Sequence, residues 1–392
     1  MMREGLFCSS LADLVSRCLH PIGVVFVVSC FSFIATATAS PIRTMSFNLR
    51  ADFEFGVAVD TPNAWVSTSG VRRRDLATAV IEQYGPDLLG VQEAFAHQAA
   101  DVSRALPEYA RYGVGRNNGL AFGEQSAIYY RAERFERLDQ GTFWLSNTPD
   151  TPSVYPGADT FRIASWVILR DRDRQDQELY VLNSHWATGF FGTAAREHSA
   201  QLIRSRIDDL AGSRPVVVMG DLNAFDFQPA MQILRGDTDP SALRLIDSYR
   251  ELNPEQGPDE RTNHGFLGNV TGQRIDYVLH SRDLRTTAAD IDRTSFSGAY
   301  PSDHYPITAT LAYEPALAGD FNADGVVDAA DYTRWRDGLG TTHAMSDYEE
   351  WSANYGASDT QGAASVPEPA SIPEPATWQL LFLATVVARR RT

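Results

Sequence analysis

The sequence predicts a large domain of the α/β or α+β class with a smaller appendage behind it, and three observations lead there. Residues 216–219 of PVVVMGDLN form an apolar run, the pattern of a strand buried on both faces, and the run stops at a polar Gly-Asp-Leu-Asn turn. Strand-like stretches alternate with helix-like ones, as in residues 42–49, 72–84 and 87–92. A chain of 392 residues, 43% hydrophobic and 21% charged, has a soluble globular composition and room for one large core plus something smaller.

The first element is not expected in the mature protein. Residues 22–34 are a short apolar run preceded by Arg3 and Arg17 and followed by ATATAS, in which Ala37-Thr38-Ala39 has the small-x-small spacing of a signal-peptidase site. Residues 1–39 therefore read as a secretory signal, cleaved near Ala39. Reading the run as a first strand leaves the Ala/Thr tract and the three cysteines, Cys8, Cys18 and Cys30, unexplained. Once the segment is removed no thiol remains, and stability must come from the core and bound ions.

From there polar residues arrive at strand ends one after another. Residues 42–49 deliver Asn48. A helix over 72–84, with Leu76, Val80 and Ile81 on its apolar face, is stopped by Gly85-Pro86, and the strand over 87–92 ends in Glu93. This strand-helix-strand unit brings Glu93 beside Asn48. A helix over 194–210 leading into PVVVMGDLN repeats the logic, and Asp221 and Asn223, two apart, share a face. Between the units, GEQSAIYYR puts Glu124 ahead of a strand, TFWLSNTP and RIASWVILR continue the strands, and LYVLNSHW ends on Asn183 and His185. RIDYVL carries Asp276, and YPSDHYPIT carries Asp303 and His304. Any one of these is ordinarily an Asx-turn or a satisfied histidine. Nine at strand rims (Asn48, Glu93, Glu124, His185, Asp221, Asn223, Asp276, Asp303, His304) point to a hard metal ion and acid–base chemistry.

Charge narrows the substrate. The net charge is −16 and all 34 basic residues are arginine. Residues 40–313 hold 27 arginines against 36 acidic residues, a net of −9. Long duplex DNA is repelled by such a domain, which favours short oligonucleotides, small phosphate esters or lipid headgroups.

The motifs FN at Asn48, LGVQE at Glu93, NSH at His185, GDLN at Asn223, RID at Asp276 and SDH at His304 follow the order and approximate spacing of a known superfamily. Residues 41–313 resemble the endonuclease/exonuclease/phosphatase (DNase I-like) metal-dependent phosphoesterases. The resemblance implies an α+β fold: two packed mixed β-sheets flanked by helices, with the site at one edge. It also implies Asn48 and Glu93 as the main Mg²⁺ or Mn²⁺ ligands, with Asp303 on the metal side. Asp221 would orient the attacking water or bind a second ion, and Asn223 would hold a phosphate oxygen. His304 would pair with Asp276 and His185 with Glu124; which histidine is the base stays open. Oxygen ligands suit such an ion, and the missing thiols argue against a thiolate zinc site. Arg116, Arg162, Asn183 and His264 are candidates for substrate contact. Ala187 stands where many relatives have aspartate, so substrate identity does not transfer.

Behind Tyr313 the sequence changes character. DFNADGVVDAAD supplies Asp320, Asn322, Asp324, Val326, Asp328 and Asp331 at the ligand positions of an EF-hand-type calcium loop, with Gly325 at the sharp turn. A calcium-free Asp-rich turn is the alternative. DYTRWRDGLG from Asp331 recurs as DYEEWSANYG from Asp347, so residues 319–357 resemble a small all-α dockerin type I module whose second repeat has lost its loop. Trp335 and Trp351 should pack its helices. Residues 358–376 form a Pro-rich linker, and 377–392, an apolar stretch ending in Arg389-Arg390-Arg391, resemble a PEP-CTERM sorting signal.

The whole reads as an exported bacterial protein, extracellular or on the cell surface or matrix, with transient membrane association before a sorting protease removes the tail. A monomer is expected, with a cohesin-like or matrix partner for the appendage. The leading function is metal-dependent hydrolysis of a phosphodiester, nuclease- or phospholipase-type, or of a phosphomonoester. The competing class is a matrix-binding protein that keeps the fold as a scaffold.

Overall fold

Two strand-helix-strand units sit at the centres of two sheets, and the remaining strands are laid outward from them. The computed structural model describes residues 40–59, 63–68, 72–174, 176–314, 317–322 and 324–358. The expected signal peptide, and the linker and sorting tail beyond residue 358, lie outside the described residues.

In the first sheet β1 (Ile42–Asn48) and β2 (Leu88–Ala94) run parallel, joined by α1 (Arg73–Tyr84). Around them lie β3 (Tyr109–Tyr112), β4 (Gln125–Arg131), β11 (Leu284–Ile291) and β12 (Ile307–Tyr313), in the order β11-β12-β1-β2-β4-β3. In the second sheet β7 (Gln177–His185) and β8 (Val216–Asp221) run parallel, joined by α3 (Thr193–Leu210). The order there is β5-β6-β7-β8-β10-β9, with β5 (Phe135–Trp144), β6 (Ile163–Asp171), β9 (Leu245–Asp247) and β10 (Asp276–Ser281). Two mixed sheets flanked by helices are thus the α+β architecture that the resemblance implied.

The run at 216–219 is buried on both faces. Val217 and Met219 join the core between the sheets, while Val216 and Val218 face the core under α3 and α4 (Pro229–Arg235). Each full burial of such a side chain is worth about 1.5–3 kcal/mol. A third core, including Phe47, Val80, Ile81 and Val91, lies under α1 and α2 (Ala96–Ala105). Gly85, at φ 62°, ends α1 by taking the left-handed conformation that a side chain disfavours.

One polar clasp crosses the dry interior. Asn183, two residues before the end of β7, donates to the carbonyls of Val91 (3.0 Å) and Ala127 (2.8 Å) on the opposite sheet and accepts from Gln92 at 2.7 Å. Gly90 makes room, because a Cβ there would meet Asn183 Oδ1 at 2.9 Å. Asn183 is fully buried, so the expectation of substrate contact is corrected: both amide hydrogens and the amide oxygen are engaged in joining the sheets.

The appendage contains two helices, Ala329–Gly338 and Met345–Asn354. Tyr332, Trp335, Tyr348 and Trp351 pack between them, with Trp335–Tyr348 centroids 5.1 Å apart and Tyr332–Trp351 5.2 Å apart. It touches the large domain through Asn322 Nδ2 on Pro240 O (2.6 Å) and Arg334 on Asp208 (2.9 Å).

Candidate active site

Strand geometry brings the polar ends to one edge of the sandwich. Asn48 closes β1, Glu93 sits on β2 at a break in its pairing with β4, and Asp221 closes β8 opposite Asp276 of β10. Arg50, Glu93 and Asn223 all have positive φ (58°, 60° and 47°). Non-glycine residues hold that conformation only where the surroundings over-determine it, and such positions gather at functional sites.

The Asn48 amide nitrogen donates to Glu93 Oε1 at 3.0 Å and to Asp221 Oδ2 at 2.9 Å, bridging the two sheets. His304 Nδ1 is 2.9 Å from Asp276 Oδ2, the expected dyad, and its Nε2 is 3.8 Å from Asp221 Oδ2. His185 Nε2 lies 3.6 Å from the same oxygen. Two sets of ligand atoms fall within 4.8 Å of one another, Glu93 with His185 and Asp221, and Asp221 with Asp276 and His304.

The electrostatics of this cluster favour a cation. Burial and the Asp276 charge push Asp221 up to about 7. Burial opposes charge on His304, but Asp276 and Asp221 overcome it and raise the imidazole to about 10. Burial also works against ionised Glu93, yet the Ala51 N–H, the Asn48 amide and nearby positive charge hold it below the usual range. Both ring nitrogens of His185 and Oδ1 of Asp276 are buried without a hydrogen-bond partner. Unpaired buried acceptors beside crowded carboxylates fit an ion and a bound oxygen.

Several expected roles are relocated. Glu124 does not reach His185: both its oxygens take Arg116, at 2.6 and 2.7 Å, because the loop from 116 to 124 folds back and delivers the guanidinium first. Burial raises Glu124 to about 7 against the pull of Arg116. Asp303 lies outside the ligand sets; Arg50 stands between it (3.6 Å) and Glu93 (3.5 Å). His264 is buried and stacked on Tyr305 at 3.9 Å, which keeps it from acting as a surface contact. Arg162 is buried and paired with Asp159 at 2.6 Å, while its Nη1 and the Nε of Arg116 have no partner. These arginines line a narrow cleft with Glu124 and His185. Asn223 donates to Trp186 O at 3.2 Å and borders a second groove of about 420 Å³ with Asn263, Phe190 and Arg261.

Three participants were not anticipated. Arg50 bridges two acids, Ser302 donates to Asn48 O at 2.6 Å, and the Asn263 amide lies 2.8 Å from His304 Nε2. Their only sequence signal was position: Arg50 two residues after Asn48, Ser302 as the first residue of SDH, and Asn263 next to His264.

In the appendage, Asp320 accepts from the N–H groups of Asp324 (3.0 Å) and Gly325 (2.7 Å), and Asp331 from those of Asn322 (3.0 Å) and Asp328 (2.8 Å). Val326 donates its N–H to Asp324. Burial, reinforced by Asp331 and Asp324, pushes Asp320 up to about 7, so this loop too crowds uncompensated acids.

The model of the Endonuclease/Exonuclease/phosphatase family matches residues 45–304, which include every strand-end residue described above. The chain belongs to the Endonuclease/Exonuclease/phosphatase family. Members of this family hydrolyse phosphate esters and typically use a divalent metal. A family protein of solved structure from Bacteroides vulgatus is 29% identical, with a TM-score of 0.61 over 70% of this chain and 100% of that one. A mannosyl-6-phosphatase of Bacteroides thetaiotaomicron is 28% identical, with a TM-score of 0.58 over 69% and 100%. An uncharacterized protein of Acanthamoeba polyphaga mimivirus is 22% identical over 278 residues, 61% of this chain but only 36% of that protein.

Proposed function

We propose that this chain is an exported, Mg²⁺- or Mn²⁺-dependent phosphoesterase whose centre is the edge cluster of Asn48, Glu93, Asp221, Asp276 and His304. The observation that carries the reading is the continuous chain from Glu93 through the Asn48 amide to Asp221, with the His304–Asp276 dyad next to it. A scaffold gains nothing from burying these groups, since each costs desolvation.

Glu93 and Asp221, with Asn48, would hold the ion, and His185 completes one ligand set. When bound, a divalent cation neutralises phosphate oxygens and makes a water easier to deprotonate. Asp276 keeps His304 charged at neutral pH, which suits it to stabilise a phosphate oxygen or to protonate the departing alkoxide. Asp221 would orient the attacking water and receive the proton it loses. The oxygen–phosphorus bond to water forms, the ester bond breaks, and the leaving group departs as an alcohol. Asn223 and the free N–H groups of Arg162 and Arg116 would orient the phosphate. A phosphomonoester substrate gains weight from the similarity to the mannosyl-6-phosphatase.

The appendage would bind Ca²⁺ through Asp320, Asn322, Asp324, Val326 O, Asp328 and Asp331 and dock a partner. Chelation should then change tryptophan fluorescence and protease resistance; unchanged values would remove the calcium assignment. For the enzyme, turnover of p-nitrophenyl phosphate, bis-p-nitrophenyl phosphate, RNA, DNA and sphingomyelin is compared with Mg²⁺, Mn²⁺ and EDTA. Folded protein without metal-dependent turnover on any ester would leave the scaffold reading.

A further inference from the structure

The catalytic edge carries an apolar rim. The six most exposed large apolar side chains among the described residues are Phe191, Phe190, Leu267, Leu120, Phe122 and Phe55, between 65% and 88% exposed. All six belong to loops that meet the cluster. Phe55 lies on the loop leaving Asn48, Leu120 and Phe122 on the loop between Arg116 and Glu124, Phe190 and Phe191 just after His185, and Leu267 three residues after His264. Their placement follows from the topology: each loop leaves or enters a strand at the end where Asn48, Glu124, His185 or Asp276 stands. Elsewhere, large apolar side chains are mostly buried.

Three of the four loops are also short of free charge; the Phe55 loop is the exception, with the exposed Glu54 next to Phe55 in the sequence. Residues 186–194 and 262–273 contain no Asp, Glu or Arg, and the only charged residue within 113–123, Arg116, is paired with Glu124. Arg196 reaches back to the carbonyls of Ala187 (3.0 Å) and Gly189 (2.9 Å) and so fixes the backbone that presents Phe190 and Phe191. Arg50 lies over the Phe53 ring at 5.5 Å while it bridges Glu93 and Asp303, which ties the rim to the cluster.

We infer that the rim seats the catalytic edge on an uncharged or zwitterionic lipid surface, so that the phosphate ester cut is one presented there. The inference rests on the phosphoesterase reading for its second half only. A ring of separate loop tips around the site matches a broad apolar surface rather than one small ligand. The rim contains Phe and Leu but no Trp or Tyr among its six, so it offers no polar handle for a sugar, and leucines do not stack on bases. The acidic domain without lysine disfavours an anionic surface or a nucleic acid. Among the described residues no helix is long and apolar enough to cross a membrane.

The test uses the full chain and its F191S, L120S and L267S variants, alone and combined. Sedimentation with phosphatidylcholine vesicles reads surface binding, and turnover of a soluble p-nitrophenyl ester reads the active site. Vesicle affinity should fall about tenfold for each side chain removed. Soluble-ester turnover and the thermal melt should stay unchanged. Absent vesicle binding, or binding that the triple variant retains, overturns the inference. So does loss of single-stranded oligonucleotide binding, or of a dimer, in place of vesicle binding. Lack of soluble-ester turnover in a chain that still binds vesicles through the rim counts against the phosphoesterase reading alone.

Discussion

The two sheets have the same spatial strand order, although the outer hairpin follows the central unit in the chain in the first sheet and precedes it in the second, so β1 corresponds to β7, β2 to β8, β4 to β10 and β12 to β6. Equivalent strand ends nevertheless carry different chemistry. At the ends of the matching strands the first sheet carries Asn48, Glu93, Glu124 and His304, and the second carries His185, Asp221, Asp276 and Arg162. The sharpest contrast is at the entries to β4 and β10. Asp276 pairs with His304 at 2.9 Å, whereas Glu124 is locked by Arg116 and His185 is left without a hydrogen bond. A duplicated framework thus supplies positions, while the neighbouring loop decides whether a carboxylate serves a histidine or an arginine.

The largest effect should come from the ends of β2 and β8. Glu93→Ala and Asp221→Asn should each lower turnover at least about a hundredfold and weaken Mn²⁺ binding in titration calorimetry. Near-normal turnover in both would dissolve the proposed centre. Next, Asp276→Asn should cut turnover by about 10²–10⁴-fold while Mn²⁺ affinity is kept, since it acts through His304. Survival of turnover at the native rate would disprove the dyad.

Glu124→Gln breaks the comparison directly. If the arginine lock is its role, turnover should change less than about tenfold while stability falls by about 3 kcal/mol in urea, because Arg116 is left buried and unpaired. A loss as large as that of Asp276→Asn would restore a Glu124–His185 pair. Asn183→Ala should cost about 1–3 kcal/mol by leaving the Val91 and Ala127 carbonyls and the Gln92 amide unpaired, with kcat/KM preserved in what folds.

The smallest effect is one of pH. Burial lowers His264 to about 4 from its ordinary 6.5. The unfolded chain therefore takes up this proton first, so the contribution is complete above 6.5 and is lost as pH falls toward 4. His264→Phe should flatten that part of the stability profile measured by denaturant titration. An unchanged acid limb would show that His264 is not buried neutral.

The central strands were legible because burial on both faces writes an apolar run into the sequence, as at 216–219, and the Gly85-Pro86 stop marked the end of α1. The edge strands were not: β11, LRTTAADI, is half exposed and carries no such run. At the site, Asn48, Glu93, Asp221 and the Asp276–His304 pair were legible from motifs at strand ends. Asn183 was not, because a period of two gives it the same face as His185. Only depth separates them, Asn183 lying between the sheets and His185 at the rim.

The sequence by itself determined the two strand-helix-strand units, the polar residues at their ends and the family they mark, since local periodicity and short motifs suffice for these. Tertiary structure alone decided that Glu124 belongs to Arg116, that Arg50 divides Asp303 from Glu93, and that Asn183 joins the sheets while His185 faces the site. Those outcomes depend on distances between segments far apart in the chain, which neither spacing nor composition encodes.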